Sequence, residues 1–199
     1  FNAIRPIHYP RNLRKMPELV TTGLWKVQVE AIRNLEASLA LAYLRALIQM
    51  ATGSGKTYVA CTSSYRLIKF GKAKRILFLV DRNTLGKQAH NEFQQYVSPY
   101  NNYKFTEEYN VQRLRRNTID PAAKVCITTI QRLYSILKGE EEFEEENEEG
   151  SLFETAPSLV KEPMPVVYSE KVPPETFDFI IIDECHRSIY NIWRQVLEY

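Results

Sequence analysis

Met50-Ala51-Thr52-Gly53-Ser54-Gly55-Lys56-Thr57 is the stretch on which the fold of this chain turns. The apolar residues 45–50 read as a buried strand, and residues 55–69 carry a helical pattern, so the glycine-rich turn stands between a strand and a helix. That order builds a phosphate-binding loop. Gly53 and Gly55 let the backbone turn its N–H groups inward, the helix N-terminus adds partial positive charge, and Lys56 adds a full charge for the outer phosphates. Thr57 is placed to ligate magnesium, and Thr52 and Ser54 complete the loop. The usual spacing G-x-x-x-x-G-K-[ST] has glycine where this chain has Met50, and the extra glycine falls at Gly53 instead. A chance glycine-rich turn is the alternative.

Outward from the loop, residues 75–80, 124–129 and 177–182 are further apolar runs that read as buried strands. Helical patterns follow them at 84–96, at 130–138 and from 188 onward. Repeated strand–helix units with near-continuous Ile, Leu and Val predict an α/β fold, a mostly parallel sheet with helices on both faces. Ahead of the loop, Thr21 and Thr22 offer an N-cap for an amphipathic helix. Its stripe is Trp25, Gln28, Ile32, Leu35 and Leu39, and Gln28 on that stripe needs a hydrogen-bond partner. Residues 1–17 hold three prolines and Arg5, Arg11, Arg14 and Lys15, as an irregular arm from an upstream domain would.

A phosphate loop needs an acidic partner to do more than bind. Phe179-Ile180-Ile181-Ile182 runs into Asp183-Glu184-Cys185-His186, which sets Asp183 at the carboxyl end of a strand, the edge where open α/β sheets place ligands. Asp183 can hold magnesium through water. Glu184 can orient or activate the water that attacks a γ-phosphate. His186 beside them is a candidate relay to another element. An ordinary acidic surface pair and a core histidine are the alternatives.

Composition narrows the class. With 44% apolar and 12% aromatic residues over 199 positions, one well-buried core is within reach and disorder throughout is excluded. No apolar run is long enough for a membrane helix, and no signal peptide opens the chain, so a soluble cytoplasmic protein is expected. Cys61, Cys126 and Cys185 are too far apart for a disulfide framework or a zinc site, and read as buried small apolar residues. The net charge of +2 hides a segregation: residues 139–150, GEEEFEEENEEG, contain eight of the 24 acidic residues, and without them 26 basic residues face 16 acidic ones. A body that basic fits a polyanion partner, while the acidic run reads as a solvated surface insertion, extended by the proline-containing stretch to residue 174.

Taken together, MATGSGKT at 50–57, LVDRNTLGKQ at 79–88, ITTIQRL at 127–133 and FDFIIIDECHRSIYNIWRQVLEY at 177–199 resemble the superfamily 2 helicases and translocases. The nearest likeness is to the first RecA-like lobe of the motor and nuclease (R) subunit of type I restriction-modification enzymes. It covers most of residues 24–199, leaves out the 139–174 insertion, and matches the 1–23 arm only loosely. The resemblance implies ATP and Mg2+ as ligands and Gln28 as the reader of adenine, although an amide satisfied by backbone is the plainer use of that glutamine. It implies that Arg82, Thr128, Thr129, Gln131 and Arg132 contact the DNA backbone, where the alternative is the ordinary use of Thr at strand ends and Arg in a first helical turn. His186 becomes a coupling residue, and Arg187 and Ser188 set this DECH box apart from the DEAD and DEAH boxes of many RNA helicases.

The function so implied is an ATP-driven motor on double-stranded DNA, acting before endonucleolytic cleavage with modification and specificity subunits as partners. The family's second lobe with its arginine finger, and its nuclease, are not among these 199 residues, so the chain alone is expected to bind ATP·Mg and turn it over poorly. A type III restriction subunit, a DEAH-type helicase, and a nucleotide-gated interaction module without turnover are the competing possibilities.

Overall fold

The computed structural model describes residues 12–143, 169 and 172–184. They fall into two compact units, one of residues up to 74 together with Glu92–Glu108, the other of Arg75–Asn91 together with the described residues from 109 onward.

In the second unit the apolar runs become a four-stranded, all-parallel sheet. Strand β1, Ile76–Val80, is buried at every position, as a strand covered on both faces must be. Along the chain follow helix α3, Asn83–Gln95, whose residues from Glu92 on belong to the first unit, and the outer strand β2, Asn110–Arg113. Strand β3, Ala123–Thr129, leads directly into helix α5, Ile130–Lys138, and β4 spans Phe179–Ile182. The order across the sheet is β2-β3-β1-β4. Leu79 stands opposite Thr128 on one side and Ile182 on the other. Alternation of side chains along β1 explains the layers. Leu77 and Leu79 share a core with Cys126 and with Ile130, Leu133, Ile136 and Leu137 of α5. On the opposite face Gly86 of α3 lies against Val80 and Ile127, 3.5 and 3.8 Å from where its Cβ would stand. The α/β class expected from the strand–helix alternation is the observed one.

Helix α5 has both its ends written locally. The Thr129 side chain accepts from the Arg132 N–H at 3.3 Å, and Gly139 closes the helix in the left-handed region at φ 81°.

The first unit is helical. Helix α1, Lys26–Ala40, and helix α2, Lys56–Lys69, meet around Leu19, Ile32 and Val59, with Leu24, Val29 and Met50 packed against them. A one-turn helix α4, Phe105–Glu108, places Phe105 edge-on to Tyr65, Tyr96 and Phe93. Cys61 and Cys126 are fully buried, as expected, and Cys185 lies outside the described residues.

Three expectations are corrected. Residues 45–50 are not a strand: Leu47 and Ile48 are 78% and 37% exposed, and no described residue pairs with this stretch. Apolar composition alone does not make a strand, because its N–H and C=O groups need a neighbouring ladder. The cap of α1 is Trp25, not Thr21 or Thr22, because the Gln28 side chain reaches back to accept from the Trp25 N–H at 2.9 Å. Trp25 is accordingly exposed instead of lining the buried stripe. Strand β2 was not foreseen, since its sequence Asn-Val-Gln-Arg has no apolar run and it is held by backbone pairing to β3.

Candidate nucleotide and nucleic-acid sites

The glycine-rich turn does enter a helix. Gly55 caps α2 at φ 77°, and Gly53 adopts φ 78°, two left-handed conformations that glycine takes without strain. Ser54 braces the turn, donating its hydroxyl to Ala51 O at 2.6 Å. The Val59 N–H donates to Gly55 O at 3.0 Å as the first helical bond, so the amides ahead of it in the first turn have no carbonyl four residues back within the helix. These amides, the Lys56 ammonium and the Thr57 hydroxyl form a donor set that suits a phosphate chain and its metal. Space agrees: a Cβ on Gly53 would meet nothing within 4 Å. Met50, standing where the usual pattern has glycine, is packed on the Leu19–Ile32–Val59 cluster and so anchors the entry to the turn.

Gln28 is brought to this loop from 26 residues away in sequence. Its Nε2 donates to Ser54 O at 3.1 Å while its Oε1 accepts from Trp25. An amide offers two N–H groups and two lone pairs, so one of each is left over after those two bonds. A Cβ on Gly55 would displace the Gln28 side-chain amide from its bond to Ser54 O, while the φ of 77° is what calls for glycine there. Behind the loop, burial pushes the Tyr58 phenol above its ordinary value, with Cys61 and Glu92 adding to the effect.

Asp183, Glu184, Arg82, Thr128, Thr129, Gln131 and Arg132 gather at the carboxyl edge of the sheet in the other unit. Because all strands run parallel, Val80, Thr129 and Ile182 end on that edge together. The Asp183 N–H donates to Leu79 O at 2.9 Å, extending the β4 ladder by one residue, and its Oδ1 accepts from the Glu184 N–H at 3.0 Å. Glu184 itself has φ 53°, an uncommon conformation for a residue with a Cβ. His186 lies outside the described residues.

The proposed backbone contacts divide by burial. Thr128 and Thr129 are buried, the first donating to Thr129 O at 3.2 Å and the second capping α5. Arg132 is 0% exposed, its guanidinium donating to Phe143 O at 3.0 Å and Asn117 Oδ1 at 3.4 Å and lying over the Phe143 ring. Gln131 is half-buried and donates to Asp81 O at 3.4 Å. Arg82 is partly exposed, with its Nε 3.7 Å from Asp81 Oδ2. Sequence reasoning passed over Arg113, which donates to Asn83 Oδ1 at the start of α3, and the adjacent Arg115 and Arg116. The signal available was three arginines in four positions.

No described helix is long and apolar enough to cross a membrane. Residues 22–199 match the family described as "Type III restriction enzyme, res subunit". Among curated proteins the chain is similar to the type I restriction enzyme EcoAI endonuclease subunit of Escherichia coli, 32% identical over 86% of this chain and 17% of that protein. It is also similar to the EcoKI endonuclease subunit of Escherichia coli strain K12, 30% identical over 86% of this chain and 12% of that protein. A Staphylococcus saprophyticus type I endonuclease subunit is 23% identical over 98% of the chain and 18% of its own length. The chain thus spans less than a fifth of each of these relatives.

Proposed function

The chain belongs to the family of the type III restriction enzyme res subunit, and from that premise we propose that it is the ATP-binding motor lobe of a restriction enzyme, of the type I endonuclease-subunit kind. Residues 1–23 act as an arm leading in, 24–199 as the lobe, and 139–174 as an insertion. It couples ATP hydrolysis to movement on double-stranded DNA, in the cytoplasm, alongside modification and specificity subunits.

One observation carries the proposal: the glycine turn caps a helix with two left-handed glycines, open space and a lysine and threonine at the first helical positions. Lys56 draws the outer phosphates, and the amides at the start of α2, with the side chains of Thr52, Ser54 and Thr57, wrap them, the Ser54 N–H itself being bonded to Ala51 O. Thr57 and Asp183 would be the residues to hold Mg2+, which would supply charge neutralisation to the phosphates. Glu184 orients the attacking water. Gln28 offers adenine the N–H and lone pair that Ser54 and Trp25 leave unused. His186 relays the state of the nucleotide, and Arg82 and Gln131 meet the DNA backbone. The inward-facing Thr128, Thr129 and Arg132 serve that contact only if the edge opens. Turnover by these residues alone is slow.

Thermal unfolding with a non-hydrolysable ATP analogue and Mg2+ tests this. Ligand at about 100 times its dissociation constant adds about 2.7 kcal/mol to the folded state. The wild-type chain is expected to show a saturable rise in Tm that Lys56→Ala abolishes without lowering the ligand-free Tm. An equal rise in the variant removes the nucleotide assignment.

A further inference from the structure

Strand β2 ends in Arg113-Leu114-Arg115-Arg116-Asn117, and all the parallel strands deliver their ends to the same edge of the sheet. Leu114 is buried in the core of the unit, and its N–H donates to Ile127 O at 2.9 Å. The far side of the turn is clamped: Asn117 Nδ2 donates to Ser135 Oγ at 3.0 Å and to Glu140 O at 2.9 Å. The buried Arg132 holds Asn117 Oδ1 from beneath. Gln112 closes the base, donating to Thr118 O at 3.0 Å and accepting from the Asp120 N–H at 2.8 Å.

Arg115 and Arg116 are exposed on this braced turn, and among the described residues no carboxylate pairs with either. Beside them opens a shallow groove of about 300 Å³. Its one carboxylate, Asp120, accepts from Asn110 Nδ2 and the Ala122 N–H, both at 2.8 Å. His90 is held below its ordinary value by burial first, against a hydrogen bond with the Val111 backbone that raises it, and Arg113 and Arg115 lower it further. A guanidinium matches a phosphate with two parallel N–H donors, and a turn already ordered loses little freedom on binding.

We propose that this turn is a DNA-backbone contact, with Arg115 and Arg116 each engaging a phosphate of the duplex. The proposal rests on the DNA assignment made above and adds residues that lie outside the motifs carrying that assignment. Two exposed arginines side by side on an ordered turn match the regularly spaced phosphates of a nucleic-acid backbone, each of which accepts paired N–H donors.

The test measures duplex affinity of the full chain against salt for the wild type, for Arg115→Gln/Arg116→Gln, and for the charge-matched control Lys72→Gln/Lys74→Gln. Each lost phosphate contact lowers the slope of log K against log salt by about 0.9, so the arginine pair is expected to lower it by about two and weaken binding at least tenfold near 0.1 M salt. The lysine control keeps the wild-type slope, and Tm is unchanged in both. Wild-type slope and affinity in the arginine variant overturn the proposal and leave the DNA assignment standing. Failure of the wild type to bind duplex overturns both. A loss seen on heparin with duplex binding intact also overturns it.

Discussion

A guanidinium shut off from solvent must have its charge answered within bonding distance, and Arg66 shows what that demands. It is 0% exposed on α2, its Nη2 donates to Glu36 Oε2 at 2.9 Å and Pro17 O at 2.7 Å, and its Nη1 donates to the Tyr100 hydroxyl. Removing one partner of such a pair leaves an uncompensated buried charge, which costs about 3–5 kcal/mol. Glu36→Ala is therefore expected to lower unfolding free energy by that amount in urea titration; a loss under 1 kcal/mol would show that water already screens the pair. None of this was legible in sequence, where an arginine in a helix reads as solvated surface. The contact between Gln28 and the phosphate loop was half legible. Its position on a buried stripe announced the need for a partner, but the partner, Ser54 O, comes from 26 residues away. Gly55 was named for its backbone freedom, and the closeness of the Gln28 amide to it is visible only in coordinates.

Elements were legible where the local pattern and the neighbours agree. Residues 76–80 and 123–129 carry β-branched and apolar runs, and each finds a parallel partner to complete its backbone bonding. Residues 45–50 have the same local pattern without a strand partner among the described residues, and stay irregular, with 45–49 exposed. β2 is the inverse case, a polar segment made into a strand by its neighbour. Hydrogen exchange separates these cases in the 199-residue chain. Amides of β1 are expected to exchange orders of magnitude more slowly than those of residues 45–50, since protection follows buried, bonded backbone. Comparable protection in the two stretches would mean that residues 45–50 are paired in solution.

Over the whole molecule, charge is unevenly distributed along the chain, with eight of its 24 acidic residues within 139–150. Replacing the five glutamates of residues 144–149 by glutamine raises the net charge from +2 to +7. Duplex binding by that variant is expected to tighten several-fold at 50 mM salt and to converge on the wild type near 0.5 M, where the Debye length falls to about 4 Å. Equal affinity at low salt would show that the run exerts no field at the binding face. The α/β class, the glycine turn with its lysine and threonine, and the acid pair at a strand end were all determined by sequence, because each depends on spacing within a few residues of one element. Tertiary structure alone decided that 45–50 stays out of the sheet, that Arg66 and Arg132 are interior, and that Arg115 and Arg116 stand on a braced turn. Those outcomes depend on which distant groups supply hydrogen bonds and opposite charge, and no local pattern of residues encodes a partner tens of positions away.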